Sequence, residues 1–312
     1  MTKGFLDSFE DYFICSKTKY FKANNVIWQK YNQAVIPVGP AKLDYSLNSD
    51  QQSRILSEFN NVFFIRSNNG FNHKDGQEKL KWYAVIKKQF IEKEKIKSNE
   101  SRKKIKRGLI NCKVEKIDAD FIAHHGYEVF YAAVKTYKGN IKFDLDEKSF
   151  CQKYKIRNNY PDIFHYWGVF EKNKLIGYAE NLIYNFIESS YSTMKFLPEK
   201  FDLFPTYALV YSMDEYYLQR LKFEYVNDGF RSILHETNIQ DFLIKNFHFY
   251  KQPTSLNIYY KPAIEKIIKL IFPFKNLINN RYVNFRKINA LLELEEIRRD
   301  CQNNIMKTDE RL

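Results

Sequence analysis

Hydrophobic and polar residues alternate along this chain with two periods, which predict a mixture of strands and helices. Segment 165–171 (HYWGVFE), the turn Lys172–Asn173 and segment 174–184 (KLIGYAENLIY) have the composition of an antiparallel hairpin. Segment 204–221 carries apolar residues at helical spacing. From Val114 the pattern predicts the order β-α-α-β-β-β-α-β-α-β. That order fits an α+β fold with a mixed, mostly antiparallel central sheet flanked by helices.

The same pattern divides the chain into three parts. Residues 1–110 contain short strands and helices and predict an N-terminal α/β unit, either an extension of the main sheet or a smaller second unit. Residues 111–261 hold the main domain. Residues 262–312 predict a helical C-terminal tail, first apolar and basic, then charged. A chain of 312 residues is long enough for one large domain or two.

Composition narrows the class of protein. Hydrophobic residues make up 44% and aromatic residues 17% of the chain, which favours a folded protein over a disordered one. The four cysteines, at positions 15, 112, 151 and 301, form no closely spaced pair, so neither a metal site nor a disulfide framework is indicated. The start, MTKGFLDSFEDYF, lacks the apolar core of a signal peptide, and we expect a cytoplasmic protein.

The formal charge of +13 is unevenly distributed. Segment 87–107 contains ten Lys or Arg and three Glu, a net charge of +7. This segment is either a surface for nucleic acid or anionic lipid, or a solvated helix face with Glu92/Lys95 and Glu100/Lys104 pairs. Segment 264–275 is apolar and basic, and either lies on an anionic membrane surface or docks on the domain as a helix.

A dense polar cluster lies in segment 225–249 (YVNDGFRSILHETNIQDFLIKNFHF), between a strand-like and a helix-like stretch. Polar groups concentrated at such a junction indicate the mouth of a site. The same residues also have structural interpretations, since Asn227-Asp228-Gly229 is a good turn sequence and Asp228 can pair with Arg231. The cluster consists of Asp228, Arg231, His235, Glu236 and Asn238.

Three segments of the chain resemble parts of the GNAT acyltransferases and of the Fem-type peptidyltransferases. The Fem-type enzymes are built from two GNAT-like domains. Segment 98–117 (SNESRKKIKRGLINCKVEKI) is similar to the Fem-type helix that precedes the second domain. Segment 167–180 (WGVFEKNKLIGYAE) resembles the central GNAT hairpin. Segment 225–251, which ends in FHFYK, resembles the late GNAT strand and helix. The resemblance implies that residues 1–110, if they form a second unit, would be a reduced GNAT-like half.

The resemblance implies direct transfer of an acyl group to an amine. The donor would be acyl-coenzyme A, as in most GNATs, or aminoacyl-tRNA, as in Fem-type enzymes. GNATs hold the donor pyrophosphate on a glycine-rich turn at a helix N-terminus. The corresponding junction here, KFLPEKFDLFPTYALV (195–210), has no glycine. We therefore expect a Fem-like donor or a divergent pocket, with the helix N-terminus near Thr206 as an anion site.

Acyl transfer to an amine requires a proton acceptor and a donor for the tetrahedral oxyanion. Glu180, in an otherwise apolar strand, is either a general base or a glutamate on the outer face. The expected catalytic residues are Asp228, His235, Glu236 and Glu180, and the expected donor-binding residues are Arg231, Asn238 and Thr206.

Two functions of different classes follow from these observations. The first is a cytoplasmic acyltransferase that acts on an amine of a sugar, a cell-envelope precursor or a similar small acceptor, with transfer RNA as a partner if the donor is aminoacyl-tRNA. The second is a non-catalytic GNAT-like module that uses segment 87–107 to hold nucleic acid or anionic lipid.

Overall fold

The structure is a computed structural model, which describes residues 4–71, 81–136, 146–233, 238–277 and 283–309. The helices are α1 Phe5–Cys15, α2 Ser49–Glu58, α3 Asn99–Asn111, α4 Ala119–His125, α5 Tyr127–Lys135, α6 Glu147–Arg157, α7 Pro205–Asp214, α8 Ile239–Phe247, α9 Pro262–Ile271 and α10 Val283–Asp309. The strands are β1 Tyr20–Ala23, β2 Val26–Tyr31, β3 Ala34–Val38, β4 Phe64–Asn68, β5 Tyr83–Lys87, β6 Lys113–Ile117, β7 Phe164–Glu171, β8 Lys174–Tyr184, β9 Glu188–Phe196, β10 Tyr225–Phe230, β11 Tyr250–Pro253 and β12 Leu256–Tyr260.

The chain forms two compact units that alternate along the sequence. Unit 1 contains Met1–Thr18, Ile86–Gly229 and Ile239–Tyr250, and unit 2 contains Lys19–Val85, Phe230–Asn238 and Lys251–Leu312. The contiguous division at residues 110/111 and 261/262 is a different partition of the chain, and it stays a prediction.

A seven-stranded sheet has the order β11-β5-β10-β9-β8-β7-β6, and its strands β6 to β9 lie wholly in unit 1. Strands β6 to β9 pair in antiparallel fashion, whereas β9 and β10 are parallel. Helix α6 covers one face, where the rings of Tyr154 and Tyr178 meet at 6.4 Å. Helix α7 covers the other face, where Asn181 contacts Met213. The core of unit 1 therefore lies on both faces of β8.

Local sequence signals explain several element boundaries in unit 1. Lys172 and Asn173 both have positive φ angles, 46° and 70°, which is the backbone that a tight hairpin turn requires. The Ser98 hydroxyl accepts a hydrogen bond from the Ser101 amide and caps α3. The helical stretch after β6 divides at Gly126 into α4 and α5.

Unit 2 contains a five-stranded sheet of order β1-β2-β3-β4-β12. Here too the first pairs are antiparallel and one pair, β3 with β4, is parallel. Helix α2, which begins with a capping box at Asn48, packs on one face with Ile55 and Leu56 in the core. Helix α10 packs on the other face through Leu294, Ile297 and Cys301.

The predicted fold class is confirmed: the structure has mixed, mostly antiparallel sheets flanked by helices, with a helical C-terminal segment. The sequence pattern did not identify α1, β1 or β11. The strand expected to end the main domain, observed as β12, joins the five-stranded sheet of unit 2, because it pairs with β4. Among the described residues, no helix is both long and apolar enough to cross a membrane.

Candidate active site

The candidate site begins where the parallel strands β9 and β10 stop pairing. The pairing covers only three positions, from Glu188↔Tyr225 to Ser190↔Asn227. Beyond them β9 continues beside β8 as far as Phe196, and the next residue of β10 is Asp228. A parting of parallel strands in the middle of a sheet exposes main-chain groups of both strands and is a common place for a ligand.

Asp228 is a carboxylate with unusual surroundings at this parting. Its side chain is half-buried, and among the described residues it has no hydrogen-bond or ion-pair partner. Burial alone raises the pKa of Asp228 to about 7, because the charged form is poorly solvated there. A carboxyl group that titrates near neutral pH can accept a proton and release it again, as a general base must.

The backbone around Asp228 is held in place from both sides. Glu188 accepts hydrogen bonds from the Tyr225 hydroxyl at 2.6 Å and from the Asn227 amide at 2.9 Å. The side-chain oxygen of Asn227 accepts a bond of 2.8 Å from the Gly229 amide. Gly229 has φ +93°, a backbone that favours glycine. These contacts fix the direction in which Asp228 leaves the strand.

A buried ion pair lies beside this position. The Lys87 ammonium and an Asp214 carboxylate oxygen are 2.6 Å apart, and the other Asp214 oxygen accepts a hydrogen bond of 2.8 Å from the Tyr191 hydroxyl. Burial raises the pKa of Asp214 above its ordinary value, while Lys87 and Tyr191 oppose that effect. Burial also raises the pKa of Tyr191, to which the charges of Asp214 and Asp228 add. Tyr191 therefore links the ion pair electrostatically to Asp228.

Helix α7 continues into a π-helical turn, Glu215–Arg220, which turns Tyr217 into the core of unit 1. Its hydroxyl accepts hydrogen bonds from the Trp167 indole at 3.0 Å and from the Asn181 amide at 3.2 Å. Burial lowers the pKa of the neighbouring His165 to about 3, so this imidazole is neutral at physiological pH. Turns of this kind are frequent at functional sites.

Glu180 lies on the opposite face of the sheet from Asn181, and only 4% of it is exposed, so the interpretation as an outer-face glutamate is wrong. Its carboxylate forms ion pairs with Arg157 and Lys153 and accepts a hydrogen bond from Tyr154. Burial pushes its pKa upward, but the two cations outweigh this and hold it at about 2. At this pKa Glu180 is a weaker proton acceptor than Asp228.

The other predicted residues are distributed between the units. Arg231 belongs to unit 2, where it forms an ion pair with Glu293 at 2.6 Å and donates a hydrogen bond to the Lys81 carbonyl. The expected ion pair between Asp228 and Arg231 is therefore wrong. Asn238 is exposed in unit 2. His235 and Glu236 lie outside the described residues.

Thr206 is at the start of α7 and is partly exposed. Phe204, the N-terminal flanking residue, has no side-chain cap. Gly108 of α3 packs so closely on it that an added Cβ would lie 2.6 Å from the Phe204 carbonyl and 3.2 Å from the Ala208 amide. The Arg107 guanidinium lies 4.7 Å from the Phe204 ring. Helix α3 therefore packs on the backbone that leads into α7.

The structure also identifies site residues that the sequence did not indicate, namely Lys87, Glu188, Tyr191 and Asp214. One signal was available for two of them, since Lys87 ends an apolar strand and Asp214 follows the buried Met213 in an apolar helix. No cluster of three or more His, Cys, Asp or Glu side chains able to hold a metal ion occurs in the described part of the chain.

Comparison with solved structures identifies the fold of the chain. No model of a known protein family and no curated protein sequence matches the chain. Among solved structures, FemX superposes with a TM-score of 0.55 and 10% identity over 85% of this chain and 93% of FemX. The C-terminal domain of a protein described as a lysylphosphatidylglycerol synthetase, from Agrobacterium fabrum, superposes with a TM-score of 0.51 and 10% identity over 84% of this chain and 90% of that domain.

These likenesses define the architecture. The chain has a divergent GNAT-like fold, and the match to FemX over both units gives it Fem-type features. At 10% identity the likeness concerns the fold, and the chemistry has to be argued from the residues of this chain.

Proposed function

We propose that this protein is an acyltransferase that moves an acyl or aminoacyl group directly to an amine, with Asp228 as the proton acceptor. The observation that supports this proposal is the Asp228 carboxyl group, half-buried, without an ion partner and with a pKa of about 7, where β9 and β10 part. A base of this pKa is matched to an acceptor that must lose a proton near neutral pH.

The reaction proceeds through a tetrahedral intermediate. The amine arrives as an ammonium ion, and the Asp228 carboxylate takes one proton. The free nitrogen then attacks the acyl carbonyl carbon, a C–N bond forms, and the carbonyl oxygen carries negative charge. Collapse of the intermediate breaks the bond to the leaving oxygen or sulfur, which takes the second proton that the nitrogen loses, and Asp228 releases the first proton to water. No covalent acyl-enzyme forms, because the amine attacks the acyl donor directly.

The N-terminus of α7 is relevant to the identity of the donor substrate. A coenzyme A pyrophosphate needs free backbone N–H groups at this helix end. Gly108 of α3 packs against the backbone there, and no glycine-rich turn precedes the helix. We therefore favour aminoacyl-tRNA over acyl-coenzyme A as the donor.

The exposed residues of α9 and of the turn after it support a proposal for the acceptor substrate. Ile267 and Leu270 of α9 are 52% and 72% exposed, and Phe274, in the 3-10 turn Phe272–Leu277 that follows, is 56% exposed. Lys266 and Lys269 on the same helix are also exposed. An apolar stripe flanked by lysines is typical of helices that lie on anionic membranes. This favours a peripheral membrane location and an envelope precursor as the acceptor.

The alternative is a non-catalytic module that holds nucleic acid or lipid through segment 87–107. Several cations of that segment are already paired with carboxylates, which weakens this alternative. Lys87 is buried against Asp214, Lys95 is 3.1 Å from Glu92, and Lys104 is 2.5 Å from Glu100. The pairs expected for a solvated helix face are therefore present.

The test combines donor binding with turnover. Acetyl-coenzyme A is titrated into the purified protein by calorimetry, and RNA that co-purifies is sequenced. A pool of aminoacyl-tRNA is then supplied with amine-bearing envelope precursors, using the wild type, Asp228→Asn and, as a control, the exposed Asp202→Asn. We expect no saturable coenzyme A binding and a transfer that only Asp228→Asn abolishes. Equal turnover by Asp228→Asn would refute the proposal, and tight coenzyme A binding would refute the donor assignment.

A further inference from the structure

Unit 2 contains a second parting of parallel strands, and a charged residue occupies the same register position in it. Strands β3 and β4 pair at Ala34↔Phe64 and Val35↔Ile65. The first residue of β4 beyond this pairing is Arg66, just as Asp228 is the first residue of β10 beyond its pairing with β9. The two positions thus carry opposite charges.

Among the described residues, the Arg66 guanidinium takes part in no hydrogen bond and no ion pair. Its guanidinium carbon lies 5.9 Å from the Trp82 ring, and the Tyr31 phenol interacts with it electrostatically. Burial lowers the pKa of Arg66 below its ordinary value. A guanidinium has five N–H donors, and leaving them unpaired away from water is unfavourable. The group is therefore poised to accept an anion.

A cavity lies against Arg66. Its volume is about 80 Å³, and none of the residues that line it is acidic. Trp82 and Phe230 form one wall, with stacked rings 5.7 Å apart and 10° from parallel. Asn68 shapes another wall, because its amide donates to the Ala41 carbonyl at 2.8 Å. The cavity is large enough for a carboxylate or a phosphate group, with the remainder of the ligand outside it.

A second charged cavity of unit 2 shows the contrast. It is lined by Lys81, Arg231 and Lys275, and each of these cations has a carboxylate within 3 Å: Asp300 at 2.8 Å, Glu293 at 2.6 Å and Glu296 at 2.8 Å. An anion entering there would have to displace a protein carboxylate. Among the described residues, no carboxylate competes in this way at Arg66.

We propose that the Arg66 cavity of unit 2 binds the anionic group of a small ligand, a carboxylate or a phosphate, through the guanidinium. The planar fork of arginine matches both groups in a two-point hydrogen bond. The proposal does not depend on the transfer reaction, since it concerns binding and is measured without turnover.

The experiment titrates sodium phosphate and sodium acetate, separately, into the full-length protein at constant ionic strength set with chloride. Calorimetry measures affinity, and the fluorescence of Trp82 reports the site. We expect saturable binding by at least one anion, weakened tenfold or more in Arg66→Gln and less strongly in Arg66→Lys, which keeps the charge and loses the fork. The control Arg231→Gln, in the same unit but paired with Glu293, should bind like the wild type. In Trp82→Phe the anion should no longer change the fluorescence, but calorimetry should still measure the heat of anion binding.

A second measurement needs no variant. Phenylglyoxal modifies accessible arginines, and peptide mass spectrometry follows the rate at each site. The bound anion should slow modification of Arg66 and leave that of Arg231 unchanged. No saturable heat, equal affinity in Arg66→Gln, or equal protection of the two arginines would each overturn the proposal.

Discussion

The side-chain amide of Asn227 donates a hydrogen bond of 2.9 Å to the carboxylate of Glu188, across the last paired rungs of the parallel strands β9 and β10. The same carboxylate accepts a bond from Tyr225. Asn227 is thereby fixed to β9, and the residue that follows it is Asp228. The position of the proposed base thus depends on a buried carboxylate of the neighbouring strand.

Replacement of Asp228 tests the proposed chemistry directly. Asp228→Asn keeps the size of the side chain and removes its basicity, so we expect kcat/KM to fall by about 10²- to 10⁴-fold. In the wild type, activity should rise with pH through about 7, because the carboxylate form is the acceptor. A pH–rate profile measures both effects. An unchanged profile in Asp228→Asn would assign the titration to another group.

The same substitution should change how stability depends on pH. The folded-state pKa of Asp228 is raised, so between about pH 4 and pH 7 the folded protein holds a proton that the unfolded chain has released. The free energy of unfolding should therefore decrease as pH rises through this window. Asp228→Asn should remove that decrease and stabilise the protein by about 1 kcal/mol or more at pH 8. Urea unfolding at several pH values measures it, with Asp202→Asn as the control.

Glu188 should act as a positioning residue. Glu188→Gln can no longer accept hydrogen bonds at both oxygens, so we expect the loss of about 1–3 kcal/mol of unfolding free energy and a lower kcat. The pH at which activity rises should stay near 7, because Asp228 itself is retained. A shift of that midpoint would indicate that Glu188 takes the proton. Stopped-flow transfer assays across pH separate the two roles.

The buried pair of Lys87 and Asp214 should contribute to stability chiefly through the cost of breaking it. Lys87→Met leaves an unpaired buried carboxylate, and we expect a loss of about 3–5 kcal/mol. Combining Lys87→Met with Asp214→Leu removes both charges and should recover part of that loss. Urea unfolding of the wild type, both single variants and the double variant completes the cycle. Additive losses would show that the two side chains do not interact.

The exposed stripe of α9 should bind anionic lipid. Leu270→Ser should weaken co-sedimentation with vesicles that contain phosphatidylglycerol, because the substitution removes apolar area that would enter the interface. Ile110→Ser is a matched control, since Ile110 and Leu270 are both 72% exposed and Ile110 lies on α3 of unit 1. Vesicles of neutral lipid should bind neither the wild type nor Leu270→Ser. Equal effects of both substitutions would argue against a specific contact.

The elements that sequence predicted well are those determined by local chemistry. The turn at Lys172 and Asn173 and the hairpin around it depend on neighbours within a few positions. The pattern also indicated Asp228, because a carboxylate directly after a short strand is conspicuous without any knowledge of the fold.

The residues that the sequence did not reveal are fixed by distant partners. Lys87 reads as the first residue of a basic run, and only the approach of α7 turns it into a buried cation paired with Asp214. Glu188 reads as a polar strand end, and only the pairing of β9 with β10 gives it the bonds to Tyr225 and Asn227. Long-range pairing of this kind has no counterpart in periodicity or composition.

The alternation of the two units along the chain also constrains the order of folding during synthesis. The core of unit 2 joins Ala34 and Phe64, which are translated early, to Ile297 and Cys301, which are translated near the end. Every residue of unit 1 has emerged from the ribosome once Tyr250 has. The first strands of unit 2 must therefore wait, with apolar side chains uncovered, while the later unit is completed, and a chaperone that shields those strands would raise the yield of active protein.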